Sequence, residues 1–381
     1  MVPKRAGKKR EMESTLPTIL SGLNWPHPGL RWIPFDQIDQ LRCFYGELFD
    51  LLGMWPRRTQ SRIVFRKPVL TLRAYASNRN DGPVVLIIPA PIKRSYIWDL
   101  APEASVVQQF VRNDISVYLA QWEQPGVDEQ TYGLAEYADQ LLLDCLHAIE
   151  KETGQRRIFL VGHSLGGTLA AIFSTLHPER LAGLILAGAP LHFGPKVDPL
   201  SSLVAASPCA SSLNAMAGSV PGSVLDLASI LAAPATFGYF RWMDWLVSLP
   251  NAQTLETHLR VERWTGDEMP LARRFFEEVV EWLYREDRFM RGTLKLDGLR
   301  ATPESARVPL LCIVERQSAV APPESVRPFY KAVRSRQKRW LWYEGDIGVS
   351  LQHVGMLVGR TAHQFLWPDV VRWIRQHAKS H

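Results

Sequence analysis

The stretch Ile158-Phe159-Leu160-Val161-Gly162-His163-Ser164-Leu165-Gly166-Gly167-Thr168 runs from an apolar strand pattern straight into a helix. Its centre is G-x-S-x-G. A residue at the tip of so tight a strand-to-helix turn is forced into a strained backbone, and glycines on either side let the chains pass closely. The turn lifts the Ser164 hydroxyl clear of the strand and sets a helix N-terminus beneath it. The Leu165 N–H then faces any negative charge that develops above the serine. Ser164 is the candidate nucleophile, and the alternative is a turn with a purely structural serine.

Working outward, the flanking sequence alternates strands and helices. Arg62–Lys67 and Val69–Tyr75, separated by Pro68, read as leading strands. Val84–Pro89, Ile115–Ala120, Ile158–Gly162, Leu184–Gly188 and Leu310–Val314 are nearly unbroken apolar runs, as expected of strands buried on both faces of a parallel sheet. Between them, Leu134, Ala138, Leu141, Leu142, Cys145 and Ile149 recur at helical spacing. Repeated strand, helix, strand order predicts an α/β doubly wound sheet, mostly parallel and flanked by helices.

The alternation stops between about Gly194 and Arg300. From Pro199 to Tyr239 the only charged residue is Asp226, and Pro208, Pro221 and Pro234 punctuate the segment. The prolines argue against a transmembrane helix. The segment is read either as buried core or as a mobile apolar cap over a site, inserted into the sheet domain. Four divisions follow: a basic, disordered tail over 1–20, the first part of the core over 21–193, the cap over 194–300, and the second part of the core over 301–381.

Partners of the serine are sought in chain order, nucleophile, acid, histidine. His353 follows the last expected strand, Arg339–Tyr343, and is the candidate base; a structural histidine is the alternative. His363 and His377 fall in the terminal helical stretch and read as surface or packing residues. The acid is expected just beyond Leu310–Val314, shortly before a proline, where the chain carries Ser318 instead. Glu315 is the nearby candidate acid, with Asp346, in the loop ahead of His353, as the alternative. A second oxyanion donor is expected from Pro89–Arg94; prolines carry no N–H, which leaves Ala90 or Ile92, and Ile92 is preferred with Leu165.

Composition excludes much else. The chain has 381 residues, 46% hydrophobic and 22% charged, with 25 glycines and 27 prolines, which fits neither a disordered nor a fibrous protein. Cys43, Cys145, Cys209 and Cys312 form no CxxC pair, so neither a disulfide framework nor a zinc ribbon is expected. The net charge is +6, with Lys4, Arg5, Lys8, Lys9 and Arg10 crowded at the start. That cluster reads as a solvated tail or as an electrostatic tether to an anionic surface, and it lacks the apolar region of a signal peptide. No nucleic-acid module, metal cluster or nucleotide fingerprint is present, so no cofactor is expected.

Several separated blocks resemble the polyhydroxyalkanoate (poly-3-hydroxybutyrate) synthases, a branch of the α/β-hydrolase superfamily. Pro89-Ala90-Pro91-Ile92-Lys93-Arg94-Ser95-Tyr96-Ile97-Trp98-Asp99-Leu100 is similar to the family's P-P-x-I-N-x-Y-Y-I-x-D-L block. Ser105 and Val117–Trp122 follow as in the family, and Gly162–Leu169 is similar to its G-x-C-x-G-G-T-L elbow. Tyr284–Arg300, His353-Val354-Gly355 and Trp367-Pro368 continue the likeness, which spans residues 80–375. The resemblance implies an α/β-hydrolase fold and acyl transfer from a hydroxyacyl thioester (an acyl-CoA) through an acyl-enzyme. It also implies a cytoplasmic enzyme associated with storage granules, working with a second synthase subunit or as a homo-oligomer.

Three departures qualify it. Ser164 stands where the family has a nucleophilic cysteine, and neither Cys145, on a helix, nor Cys312, in a strand, can replace it. The family's Asp-His pair is Ser318-Ala319, and its Asn is Lys93. A serine relies on its base for activation more than a thiol does. An esterase, thioesterase or polyester depolymerase using water as acceptor is therefore the second hypothesis. A degenerate homologue that binds granules or a partner is the third.

Overall fold

A computed structural model describes residues 33–75, 82–210 and 218–378. The basic stretch over 1–20 lies outside them. Eight strands form one sheet: β1 (Arg62–Lys67), β2 (Leu70–Tyr75), β3 (Val84–Ile88), β4 (Ser116–Trp122), β5 (Ile158–His163), β6 (Leu181–Ala187), β7 (Leu310–Glu315) and β8 (Lys338–Tyr343). Their spatial order is β1-β2-β4-β3-β5-β6-β7-β8. β2 runs antiparallel to both β1 and β4, and every other pairing is parallel.

The apolar runs explain this arrangement. All residues of β3, β5 and β6 are buried, whereas both ends of β1 are exposed. Val84, Leu86 and Ile88 enter the core on one side of the sheet, and Val85 and Ile87 enter the core on the other. That is the period-two alternation of a strand covered on both faces.

Helices fill those two cores. The elbow helix α2 (Leu165–Leu176) is buried through almost its whole length. The terminal helix α7 (Trp367–Ala378) buries Trp367, Trp373 and Ile374. Ahead of it, α6 (Gln352–Val358) carries His353. Among the described residues the segment between β6 and β7 is mostly helical and includes α3 (Gly222–Ala232), α4 (Phe240–Ser248) and α5 (Ala252–Thr265). No single helix among the described residues is long and apolar enough to cross a membrane; α3 and the stretch 235–248 qualify only as a pair bent by 112°.

Near the start of the chain, α1 (Ile33–Leu51) packs on α3 and α5. Arg42 pairs with Asp226 at 2.6 Å, and Arg263 pairs with Asp50 at 2.9 Å. The Asp39 carboxylate accepts the N–H groups of Gly222 and Ser223 at the start of α3. The same surface leaves Leu41, Phe44, Tyr45, Leu51, Phe240 and Trp242 exposed. No disulfide joins the four cysteines among the described residues, and Cys145 and Cys312 are buried.

Candidate active site

Ser164 sits between β5 and α2 with φ 54° and ψ −134°, a left-handed conformation that side chains rarely adopt. Its N–H donates to the Ala187 carbonyl at 3.1 Å, tying the turn to the end of β6. The flanking glycines are dictated by contact. A Cβ on Gly162 would lie 2.5 Å from the Gly167 Cα, and one on Gly166 would lie 2.2 Å from the Ile88 carbonyl oxygen. Leu165 is the first residue of α2, so its N–H lacks an intrahelical acceptor.

Ser164 and His353 line the same cavity, whose volume is about 130 Å³. The loop after β3 supplies Pro89, Ala90, Ile92 and Lys93 to its wall, and α3, α4 and α5 supply Leu225, Asp226, Arg241 and Trp264. Trp122 donates its indole N–H to the Pro89 carbonyl at 2.8 Å, holding that loop against β4.

His353 is buried, and neither of its ring nitrogens has a hydrogen-bond partner among the described residues. Burial holds its pKa well below the usual histidine range, and the neighbouring His163 adds to the shift. The imidazole is therefore neutral, the form in which it can accept a proton. His163 donates from Nε2 to the His353 carbonyl at 2.9 Å, and the two ring centroids lie 4.5 Å apart. Gly188, at the end of β6, has φ 52°; a Cβ there would meet the His353 ring at 3.0 Å, so the glycine makes room for the imidazole.

The carboxylates stand apart from His353. Glu315 ends β7, where burial raises its pKa to about 7 against the opposing hydrogen bond with Ser318. Ser318 in turn accepts the Ala321 N–H at 3.1 Å. The Asp346 carboxylate accepts the Tyr343 hydroxyl at 2.9 Å and the N–H groups of Thr361 and Ala362. With three donors it serves the start of the next helix. His363 and His377 bond to the backbone carbonyls of Leu357 and Trp373.

A buried charge cluster borders the cavity. Lys93 donates to the Thr265 carbonyl at 2.5 Å and to Glu268 at 2.6 Å, and Arg42 lies 3.2 Å from the other Glu268 oxygen. Burial pushes the Lys93 pKa down and that of Glu268 up, each opposed by the charge of the other. Burial also tends to raise Asp226, but Lys93 and Arg42 outweigh it and hold its carboxyl below the ordinary range. None of these acids was singled out in the sequence except Asp226, as the lone charge of an apolar stretch.

The resembling blocks have visible structural roles. Asp99 is fully buried and accepts the Thr59 N–H, the Thr59 hydroxyl and the Ser105 hydroxyl, while the Tyr96 hydroxyl donates to Asp267.

The sheet order and the strained elbow match known folds. The structure is similar to a Paleococcus ferrophilus monoacylglycerol lipase, with 17% identity, TM-score 0.50, and coverage of 81% of this chain and 99% of that one. It is also similar to a candidate lipase from Sulfolobus solfataricus, with 17% identity, TM-score 0.53, and coverage of 83% and 99%. The Hydrolase_4 family, described as Serine aminopeptidase, S33, matches residues 102–236. The chain has the α/β-hydrolase fold, a mostly parallel eight-stranded sheet flanked by helices.

In sequence, the chain is similar to proteins named poly(3-hydroxyalkanoate) polymerase subunit PhaC. The Haloferax mediterranei protein is 29% identical over 329 residues, covering 85% of this chain and 65% of that protein. The Allochromatium vinosum protein is 23% identical over 308 residues, covering 79% and 85%. The chain thus spans somewhat under two-thirds of the Haloferax relative's length.

Proposed function

We propose that the chain is a serine acyltransferase of the polyhydroxyalkanoate-synthase type, acting on hydroxyacyl thioesters. The observation that carries this reading is the placing of Ser164, on a strained elbow, in one cavity with a buried, neutral and unbonded His353. The likeness to PhaC sequences over most of the chain supplies the substrate class.

In the first half-reaction, the Ser164 Oγ attacks the thioester carbonyl carbon while His353 takes the hydroxyl proton. The developing oxyanion is met by the Leu165 N–H at the head of α2 and by the Ile92 N–H. The carbon–sulfur bond then breaks, and the thiol leaves with the proton that His353 returns. In the second half-reaction, a chain-end hydroxyl gives its proton to His353 and its oxygen to the acyl carbon; the bond from the acyl carbon to Ser164 Oγ then breaks, and His353 returns the proton to that oxygen. The low pKa of His353 makes it a weak base until an anion forms beside it, and the positive charge it then gains is stabilised by that oxyanion. Glu315 has no bond to His353, so this reading rests the chemistry on a serine–histidine pair. The helical segment between β6 and β7 acts as the cap and governs which acceptor reaches the acyl-enzyme.

Water is the alternative acceptor, giving an esterase, thioesterase or depolymerase. The serine at the elbow favours it, because the lipase-like folds the chain resembles carry hydrolases. Coenzyme A release from 3-hydroxybutyryl-coenzyme A, with Ser164→Ala as control, tests the first half-reaction. Product analysis separates the two: polymer supports the transferase, free acid the hydrolase. No release above the mutant contradicts thioester chemistry by the chain alone. A storage-granule surface and a second subunit belong to the same proposal, as the setting in which a polymer chain would grow.

A further inference from the structure

Among the described residues no carboxylate bonds the ring of His353, yet the loop that delivers it is held tightly, and by residues far away in sequence. Asp244, on α4, accepts the Gly348 N–H at 2.9 Å with one oxygen and the Ser350 N–H at 2.8 Å with the other. His258, on α5, lies with its Nδ1 2.9 Å from the second of those oxygens. One turn further along α5, Glu262 accepts the Ser350 hydroxyl and is held by Arg241. Gly348 packs so closely on α5 that a Cβ would fall 2.3 Å from the Thr254 side chain.

Two residues of this loop have positive φ, and one of them is not a glycine. Gly348 has φ 80° and Ser350 has φ 61°, a costly conformation for serine that persists where the surroundings over-determine it. Here Asp244 and Glu262 bond both the backbone and the side chain of Ser350, and the Leu351 N–H closes back on the Val349 carbonyl at 2.6 Å. His353 lies in the first turn of α6, which begins at Gln352 immediately after the loop. From the other side, His163 fixes the His353 carbonyl.

We propose that Asp244 and Glu262 are positioning residues for His353, so that the helical segment between β6 and β7 supplies the orientation that a triad acid on the sheet would otherwise give. The proposal rests on Ser164 and His353 being the reacting pair. Its consequence is that seating of the helices and competence of the histidine are one event: when α4 and α5 lift away, the 348–350 loop loses its hydrogen-bond acceptors and His353 loses its place.

The test is the reaction of Ser164 in the full chain with an alkyl fluorophosphonate, resolved into kinact and KI, with hydrogen exchange followed over residues 346–353. Asp244→Asn keeps the shape but loses at least one of three bonds. We expect kinact to fall about tenfold or more at unchanged KI, since a misplacement near 1 Å has that scale of cost. The 346–353 segment should exchange faster. Glu256→Gln is the control; it lies on α5 but bonds Arg260 and Arg57 and not the loop. If Asp244→Asn does not fold, Ser350→Ala removes only the Glu262 link and should give a smaller fall in kinact. A wild-type kinact in either variant, or unchanged exchange in the loop, overturns the proposal while leaving the Ser164–His353 pair intact. If the wild type, Ser164→Ala and His353→Gln all react alike, the pair itself fails and the positioning role falls with it.

Discussion

The ends of the central strands and the helical segment line one cavity but are made from different materials. At the strand ends, Gly166 and Gly188 beside Ser164 are fixed by packing, with clearances so small that a single added carbon would collide with a carbonyl or a ring. In the helical segment, position is set by charge: Arg42 with Asp226, Lys93 with Glu268, Arg241 with Glu262, Asp244 with the loop before His353. Its outer face carries exposed aromatic residues in place of a packed layer. Packing of the first kind is unforgiving and permanent, whereas a set of hydrogen-bonded ion pairs can part and re-form at modest cost. Ser164 is thus built into the tightly packed half, and on the proposal above the placement of His353 depends on the half held by ion pairs.

Substitutions can break that contrast at either end. Ser164→Ala should abolish thioester turnover, by on the order of 10⁴-fold or more, and His353→Gln should come close to it, since the two act as a unit. Steady-state rates of thiol release measure both. Gly166→Ala attacks the tightly packed half directly: its new Cβ would press on the Ile88 carbonyl, and overpacking of this kind costs about 1–3 kcal/mol. A fall in thermal midpoint measures it, and an unchanged midpoint would show that the elbow has slack.

Glu315→Gln sharpens the comparison, because Glu315 stands where a sheet-borne acid would act. With no bond to His353, its loss should lower turnover by less than about tenfold, well short of removing a coupled triad member. Its pKa of about 7 in the folded chain lies above the ordinary 4.5. The stability it contributes is complete below about pH 4.5 and is lost as pH rises through about 7. Glu315→Gln should therefore stabilise the chain by about 1–2 kcal/mol at pH 8 and by little at pH 4, seen as a pH-dependent difference in thermal midpoint. The smallest effect is expected at Trp242, which is 59% exposed. Trp242→Ser should change turnover of a short, dissolved thioester less than about twofold and stability by about 0.5 kcal/mol or less.

The sheet was legible because its signals are short-range. Apolar runs of five or six residues marked the strands, and the elbow showed itself in seven consecutive residues, Gly162–Thr168. Where the bounds moved, neighbours decided: β4 reaches Trp122 because Trp122 pairs with Leu70 on β2, an antiparallel partner that no local pattern announces. The segment Arg273–Glu278 is an ordinary helix that changes to a wider turn at Val279–Arg285. The site was legible only in part. Glu315 is drawn into β7 as its last residue and its carboxyl turns to Ser318, and Asp346 is taken up by Tyr343, Thr361 and Ala362. The grip on the His353 loop joins residues more than a hundred positions apart, Asp244 to Gly348 and Ser350, so it leaves no spacing to read.

The central claim is that Ser164 accepts an acyl group from a thioester. Brief incubation with 3-hydroxybutyryl-coenzyme A, followed by acid quenching, intact-mass measurement and peptide mapping, tests it most directly. The account predicts a mass increase of one or more hydroxybutyryl units on the peptide containing Ser164, absent in Ser164→Ala and strongly reduced in His353→Gln. An adduct on another residue, or thiol release that persists in Ser164→Ala, would contradict it.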